Sequence, residues 1–571
     1  MAAAAVDTIP SYNRLDPGSK RLEFASYPKA PEPPERDVEN IARTWVESFN
    51  KSLSTNDIQA ITSLFLKDGC WRDQLCLSWT YHTLSGPQKI QSFLEGAPKG
   101  CRIKSIDIDG KKPSLAPHVS PADYLGKVKS VAAFLTVDTD IGRGRGVVRL
   151  IQDADAKWKA YTLFTAMFEL KGHEETINSN RPAGVEHGGQ LGRKNWQERR
   201  TITENFEDDL QPTVLIIGAG QGGLTAAARL HQLRVPALIV DRNARIGDNW
   251  RNSSKRQWTV HLERKRPDGT TEQRTLHPRH VVQATGHSGE MNLPQIKGMN
   301  DFAGDTLCHS SQFKGAKSNS QGKKAIVVGC CNSGHDIAQD FYEHGYDVTI
   351  VQRSSTYVMS SKNGLDVLLG GLYEEGGPDT EDADLIFMSI PNPMLKSLHL
   401  DATKEITKRD EKLLDGLSKA GFKLDYGPDD SGFFMKYFQR GGGYYIDVGC
   451  SQLIIDGKIK VKQGQEITEV KPHGLAFADG TELEADEIVL ATGYQNMRGT
   501  ARKIFGDEIA DQVTDVWGFD DEGELRTMWR KTGHPGFWFF GGNLALCRYY
   551  SRMLALQIKG METGLMNYED P

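Results

Sequence analysis

From residue 37 onward, apolar side chains fall first at helical and then at strand spacing. In RDVENIARTWVESFNKSL, Ile41, Trp45 and Phe49 recur every four residues, which lines one face of a helix. Ile58, Ile61 and Phe65 continue the stripe into a second helix, and Ile90, Phe93 and Leu94 mark a third. The period then drops to two in RIKSIDIDG, KSVAAFLTVDTD, GRGVVRLIQD and KWKAYTLFTAMFEL, as in strands with one face on a core. Helices followed by long antiparallel-type strands predict an α+β domain over residues 37–175. Residues 1–36, with PGSK and YPKAPEPPERD, read as a flexible tail, and the charge-mixed, Gly-containing residues 176–211 as a linker.

Beyond residue 211 the pattern becomes strand, glycine loop, helix, strand. In TVLIIGAGQGGLTAAARLHQLRVPALIVDRNARIG the run Val214 to Ile217 leads into Gly218-Ala219-Gly220-Gln221-Gly222-Gly223. Gly218 suits the tight turn, Gly220 lets backbone approach a diphosphate, and Gly223 lets the helix pack close to the strand. The diphosphate then meets the positive end of the helix, and Asp241, closing the second strand, is placed to accept hydrogen bonds from a ribose. KKAIVVGCCNSGHDIAQDFYEHGYDVTIVQRSST repeats the plan with Gly329, Asn332, Ser333 and Gly334, but Cys331 replaces the middle glycine. Arg353, followed by Ser354, stands where the first unit has its acid. An arginine fork there matches a 2′-phosphate and favours NADP over NAD, the alternative being a solvated surface arginine. Two further buried-type strands end in the same triplet, Ala284-Thr285-Gly286 and Ala491-Thr492-Gly493. Small residues suit a chain that crosses close to a bound dinucleotide.

A net charge of −6 over 571 residues gives no electrostatic case for nucleic acid, and no apolar run approaches the length of a membrane span. The eight cysteines show no zinc-site spacing, so no metal is expected. A reduced, cytoplasmic setting is the simplest expectation. No Ser/His/Asp set or carboxylate pair stands out, and no catalytic residue is assigned.

GAGQGG, the GDNWR turn, the two ATG strands and the second glycine loop with its following arginine resemble the flavin-containing monooxygenases. The nearest subgroup is the fungal and YUCCA-like one with an NTF2-like (SnoaL-like) domain in front, which the α+β pattern resembles. FAGDTLCHSSQF resembles the family signature through Phe302, Gly304, His309 and Phe313, with one extra residue before His309; a structural histidine is the favoured reading there. LATGY and the closing GFWFFGGNLALCRYYSRMLALQIKG also resemble the family. The resemblance, over about residues 190–571, implies an α/β protein with two Rossmann-type domains. FAD would lie on residues 212–318 and 485–571, and NADPH on an inserted domain, residues 319–484. It implies O2 and a small organic substrate, with one oxygen atom inserted by N-, S- or Baeyer-Villiger-type chemistry through a hydroperoxide at the flavin C4a carbon. Arg242, Asp248, Trp250 and Arg251 would add FAD contacts, and Asn543 would lie near the isoalloxazine. Self-association through the NTF2-like domain is a further expectation.

The stretch IGDNWRNSSKRQW, residues 246–258, departs from this pattern. A third parallel strand needs a crossover of at least ten or so residues plus the strand itself. The few residues between Asp241 and the next strand leave no room for it, and QWTVHLERKRPDGTTEQRTL reads as a hairpin or meander. Relatives in the family carry a long segment here. Three readings follow: an artefact of the gene model, a real deletion leaving an impaired NADPH oxidase or a non-catalytic nucleotide-binding and dimerisation protein, or compensation by another part of the chain.

Overall fold

The computed structural model describes residues 15–34, 36–97, 101–181, 192–205, 210–241, 258–265, 270–286 and 290–570. The first apolar stripe folds as α1 (Val38–Ser54), burying Ile41, Trp45 and Phe49. Next comes α2 (Ile58–Ser63), capped by the Asp57 carboxylate, which accepts from the Ala60 amide. Phe65 is not in that helix. It opens β1 (Phe65–Gln74), paired in parallel with Ala160 of a later strand. Then follow β2 (Tyr81–Ser85), α3 (Pro87–Gly96), β3 (Ile103–Ile108), β4 (His118–Pro121), β5 (Lys129–Thr139), β6 (Gly142–Gln152) and β7 (Trp158–Leu170). They form one seven-stranded sheet in the order β2-β1-β7-β6-β5-β3, with β4 on β5. β1 and β2 escape the periodicity reading because β1 is covered on both faces along its second half and so shows no alternation.

Two expectations about connecting segments change. Residues 15–34 are not a free tail: Leu22 is buried, and the Lys20 amide donates to the Phe519 carbonyl at 2.8 Å. Within the expected linker, Trp196–Asn205 forms a helix, α4.

The first glycine unit is β8 (Val214–Ile217), α5 (Gln221–Gln232) and β9 (Ala237–Val240). The hairpin β10 (Val260–Lys265) and β11 (Thr271–Leu276) follows, then β12 (His280–Gln283). The second unit comprises β13 (Thr306–His309), β14 (Lys324–Val328), α6 (Asn332–Glu343) and β15 (Asp347–Gln352). A largely helical excursion then runs through β16 (Thr356–Ser360), α7 (Ser361–Leu369), α8 (Thr380–Met388), α9 (Asn392–Arg409), α10 (Glu411–Lys419), β17 (Leu424–Asp425), α11 (Gly432–Arg440), β18 (Tyr444–Asp447) and α12 (Cys450–Ile455). The chain returns through β19 (Ile459–Gln463), the antiparallel β20 (Ile467–Lys471), β21 (Gly474–Phe477) and β22 (Glu482–Glu484), and β23 (Glu487–Leu490). It closes with α13 (Met497–Phe505), α14 (Asp507–Gln512), β24 (Phe537–Phe539) and α15 (Leu544–Glu562).

The first parallel sheet runs β24-β12-β8-β9, and the second β13-β23-β14-β15-β19. The expected partition at residues 318 and 485 is therefore corrected: β13 and β23 belong to the second sheet, β23 lying between β13 and β14. HVVQ and EIVL are both fully buried runs, so their composition cannot tell which sheet each joins. In the first sheet β9 is the edge, and its Ala237, Leu238 and Ile239 stay half-exposed whereas β8 is buried throughout. One continuous apolar core joins the α+β domain to this sheet, with α15 contributing Tyr549, Tyr550 and Met553 to it. No described helix is long and apolar enough to cross a membrane.

Candidate functional site

The two glycine loops have the same construction. Gly218 has φ +108°, and a side chain there would fall 2.4 Å from the Ala284 carbonyl oxygen. Gly329 has φ +116°, with the Ala491 carbonyl oxygen 2.2 Å from the corresponding point. Each Ala-Thr-Gly triplet thus crosses directly over its loop, which is why a β-carbon is excluded at both turns. Side chains at Gly223 and Gly334 would lie 1.9 Å from the Gly218 oxygen and 2.1 Å from the Gly329 oxygen, so both helices sit tight on their strands. Gly220, the N-cap of α5, faces open space. Its counterpart Cys331 has nearly the same backbone angles (φ −94°, ψ −168° against −75°, −174°) and caps α6.

At the first loop, Gln221 Nε2 donates to the Gly542 carbonyl at 2.6 Å, which joins the N-termini of α5 and α15. Asn543 caps α15 by accepting from the Leu546 amide at 2.9 Å. Gly222 packs against the Phe540 ring. Asp241 Oδ2 accepts from the Ala219 amide at 2.8 Å, so one oxygen of the expected ribose acceptor is turned back onto the loop. Arg242, Asp248, Trp250 and Arg251 lie outside the described residues.

At the second loop a cavity of about 850 Å³ runs along the carboxyl ends of the strands. Gly329 to Gly334 and Ala491 to Met497 line one side, and Arg353 and Ser354 lie beyond β15. The exposed Arg353 is thus placed where a 2′-phosphate was expected. Asn332 is spoken for: its Oδ1 accepts from the Ile446 amide at 3.0 Å. His335 stacks on Tyr445 at 3.7 Å, and burial pushes its imidazole down to about 4. His309 is buried, its Nε2 3.0 Å from the Gly493 carbonyl, in keeping with a structural histidine.

The opposite wall comes from the helical excursion and from residues 515–530, neither of which the sequence reading singled out. It includes Lys436, Gly441 to Tyr444, Val516 and Trp517. Lys436 Nζ holds both oxygens of Asp425 at 2.6 Å; burial pulls its ammonium down while Asp425 pulls it up. The run Gly441-Gly442-Gly443 was visible in the sequence as a turn signal, but nothing local says that it faces a glycine loop far away in the chain.

These features accommodate two dinucleotides. The open Gly220 position and the joined helix N-termini suit the diphosphate of FAD. The cavity with Arg353 and Ser354 suits NADPH, with Cys331 standing where the first loop has Gly220. Gln283 Nε2 donates to the Met497 carbonyl at 3.0 Å, tying the end of β12 to the segment leaving β23. The fold and site therefore define a protein with two adjoining glycine loops of the dinucleotide-binding type. A family model described as pyridine nucleotide-disulphide oxidoreductase matches residues 259–366, and one described as NAD(P)-binding Rossmann-like domain matches residues 216–264. Indole-3-pyruvate monooxygenase YUCCA1 of Oryza sativa subsp. japonica is 27% identical over 353 residues, 52% of this chain and 80% of that protein. Indole-3-pyruvate monooxygenase YUCCA8 of Oryza sativa subsp. indica is 26% identical over 417 residues, 60% of this chain and 90% of the relative. Among solved structures, the polycyclic ketone monooxygenase from Thermothelomyces thermophila aligns with a TM-score of 0.42 and 15% identity, over 62% of this chain and 76% of that one. The chain is similar to the flavin-containing monooxygenases, and among them to the YUCCA-like members. The matched models support an oxidoreductase that binds dinucleotides of the FAD and NAD(P) kind.

Proposed function

We propose that this monooxygenase transfers one oxygen atom from O2 to a 2-oxo acid bearing a planar apolar group. The observation that carries the reading is the contact between β12 and the Met497 carbonyl, because it sets the nucleotide cavity beside the flavin cradle. The choice of substrate is supported by the curated relatives named as indole-3-pyruvate monooxygenases. It is further supported by a cavity wall that includes Tyr444, Val516 and Trp517.

Gly218 to Gly223 would hold the FAD diphosphate through loop amides and the α5 N-terminus, with Asp241 and Asn543 alongside. Gly329 to Gly334 would hold the NADPH diphosphate, and Arg353 and Ser354 its 2′-phosphate. Bound there, FAD supplies acceptance of hydride from NADPH and activation of O2. The protein supplies orientation and a dry wall. Met497, Val516 and Trp517 keep apolar surface at the junction of the two units.

The test is O2 uptake by the purified, FAD-loaded chain with NADPH, comparing aromatic 2-oxo acids with an amine, a sulfide and a cyclic ketone. Stimulation by the oxo acids above the others is expected. Stimulation by the amine, sulfide or ketone alone would replace the proposed substrate class. NADPH failing to bleach the bound flavin would remove the reading altogether.

A further inference from the structure

The segment from Asp515 to Arg530 reaches the cofactor cavity on one side and the α+β domain on the other. On the inner side, Asn496 holds Val516 in both directions: its Nδ2 donates to the Val516 carbonyl at 2.8 Å and its Oδ1 accepts from the Val516 amide at 3.1 Å. The Gly518 amide donates to the Phe438 carbonyl at 2.8 Å. Trp517 lies between, against Tyr437 (5.1 Å between ring centres) and Trp529 (6.3 Å), and lines the cavity. Trp517, Thr527 and Trp529 have φ of +65°, +50° and +62°. Bulky or β-branched side chains rarely adopt the left-handed region, and such strain persists only where surrounding structure over-determines it.

The over-determination comes from outside the nucleotide units. Arg72 on β1 forks onto Glu524, Nε to Oε1 at 2.6 Å and Nη2 to Oε2 at 2.8 Å, with both side chains buried. Thr83 Oγ1 donates to the same carboxylate at 2.6 Å, and the Thr83 amide donates to Glu522 at 3.1 Å. Tyr81 Oη donates to the Trp529 carbonyl at 2.8 Å, at one of the strained residues. From the N-terminal strap, Ser19 Oγ accepts from the Phe519 amide, and the Pro17 carbonyl accepts from Arg526.

We propose that Arg72, Thr83 and Glu524 are positioning residues: through them the α+β domain holds the segment that sets Trp517 against the nicotinamide end of the NADPH cavity. That end is identified by the sheet. Arg353 marks the adenosine side beyond β15, and Met497 with Val516 and Trp517 marks the side that adjoins the first unit. The inference rests on reading this cavity as the NADPH site. It gives the α+β domain a part in coenzyme binding and makes residues more than 400 positions apart in sequence one functional unit.

The test is calorimetric titration of NADP+ into the full chain, with FAD content measured separately. Glu524→Gln keeps the shape and weakens the fork, Thr83→Val removes one bond with little disturbance, and Trp517→Leu removes the indole. The expected result is a rise in the NADP+ Kd of roughly tenfold for Glu524→Gln and for Trp517→Leu, and roughly threefold for Thr83→Val, with FAD per chain unchanged. The double variant Glu524→Gln/Trp517→Leu should be no worse than the worse single one, because the two act along one path. Additive losses would overturn the inference, as would a folded Thr83→Val or Glu524→Gln protein that binds NADP+ like the wild type. A chain that takes up no FAD yet loses NADP+ affinity as described would keep the inference and sink the monooxygenase reading. A wild-type chain that binds no NADP+ would sink both.

Discussion

The duplicated cradle allows a crossed test in which one methyl group is added to each loop in turn. In Gly329→Ala the new β-carbon would fall 2.2 Å from the Ala491 oxygen and 2.9 Å from its carbonyl carbon. An ordinary contact requires the Ala-Thr-Gly segment or the loop to retreat by about 1 Å. That segment is not free to retreat: Thr492 Oγ1 donates to the Asn292 carbonyl at 2.7 Å, and the Gly493 carbonyl is held by His309 Nε2. Left-handed backbone for alanine costs about 1–2 kcal/mol and overpacking a further 1–3 kcal/mol. If even about 1.4 kcal/mol of that is relieved by opening the cradle, the NADP+ Kd rises about tenfold. FAD binding should be untouched. Gly218→Ala, with φ +108° and the Ala284 oxygen at 2.4 Å, should do the reverse, losing FAD while NADP+ still binds. Flavin absorbance of the purified protein and calorimetric NADP+ titration read the two sites separately. Loss of FAD in Gly329→Ala with NADP+ binding intact would refute the assignment of the cradles, and normal binding of both in either variant would refute the steric reasoning.

Arg353→Gln should lower the preference for NADPH over NADH by about tenfold or more in kcat/KM, since a 2′-phosphate loses its charge-assisted partner; an unchanged ratio would make Arg353 a surface residue. Arg72→Met should cost about 3–5 kcal/mol by stranding Glu524, itself 1% exposed, whereas Arg72→Met/Glu524→Leu should regain most of it, as judged by urea unfolding of the full chain. Burial holds His335 and His399 down at about 4, below the ordinary imidazole range. The unfolded chain therefore binds more protons between about pH 6.5 and 4, so their stabilising contribution is complete above that window and is lost as pH falls through it. His335→Gln should accordingly flatten the fall in Tm between pH 7 and 5, and an unchanged slope would count against a neutral buried His335.

Much of the site was legible because its chemistry is local. Gly218, Gly223, Gly329 and Gly334 each sit a fixed few residues from a strand, and their positive φ or close backbone approach follows from the turn itself. The position of Arg353 after β15 and on the cavity could be read for the same reason, as the residue that ends a strand beside the loop. Phe65 was misread because the last position of a helical stripe and the first of a buried strand look alike when both are apolar. The expected tail went astray on composition: proline and charge argue against a helix or strand, but Leu22 and the Lys20 amide can still dock an extended chain on a surface.

Local spacing alone determined that this chain carries two glycine cradles, two Ala-Thr-Gly crossings and an α+β domain ahead of them, because a helix, strand or turn is decided by side chains within a few residues of one another. Only the tertiary structure decided that β23 joins the second sheet, that Asn332 is tied to β18, and that Arg72 reaches Glu524 to brace the cavity wall at Trp517. Those outcomes depend on pairings between distant segments. A buried strand or a buried ion records in its sequence that it needs a partner, and leaves the identity of that partner to the packing of the whole chain.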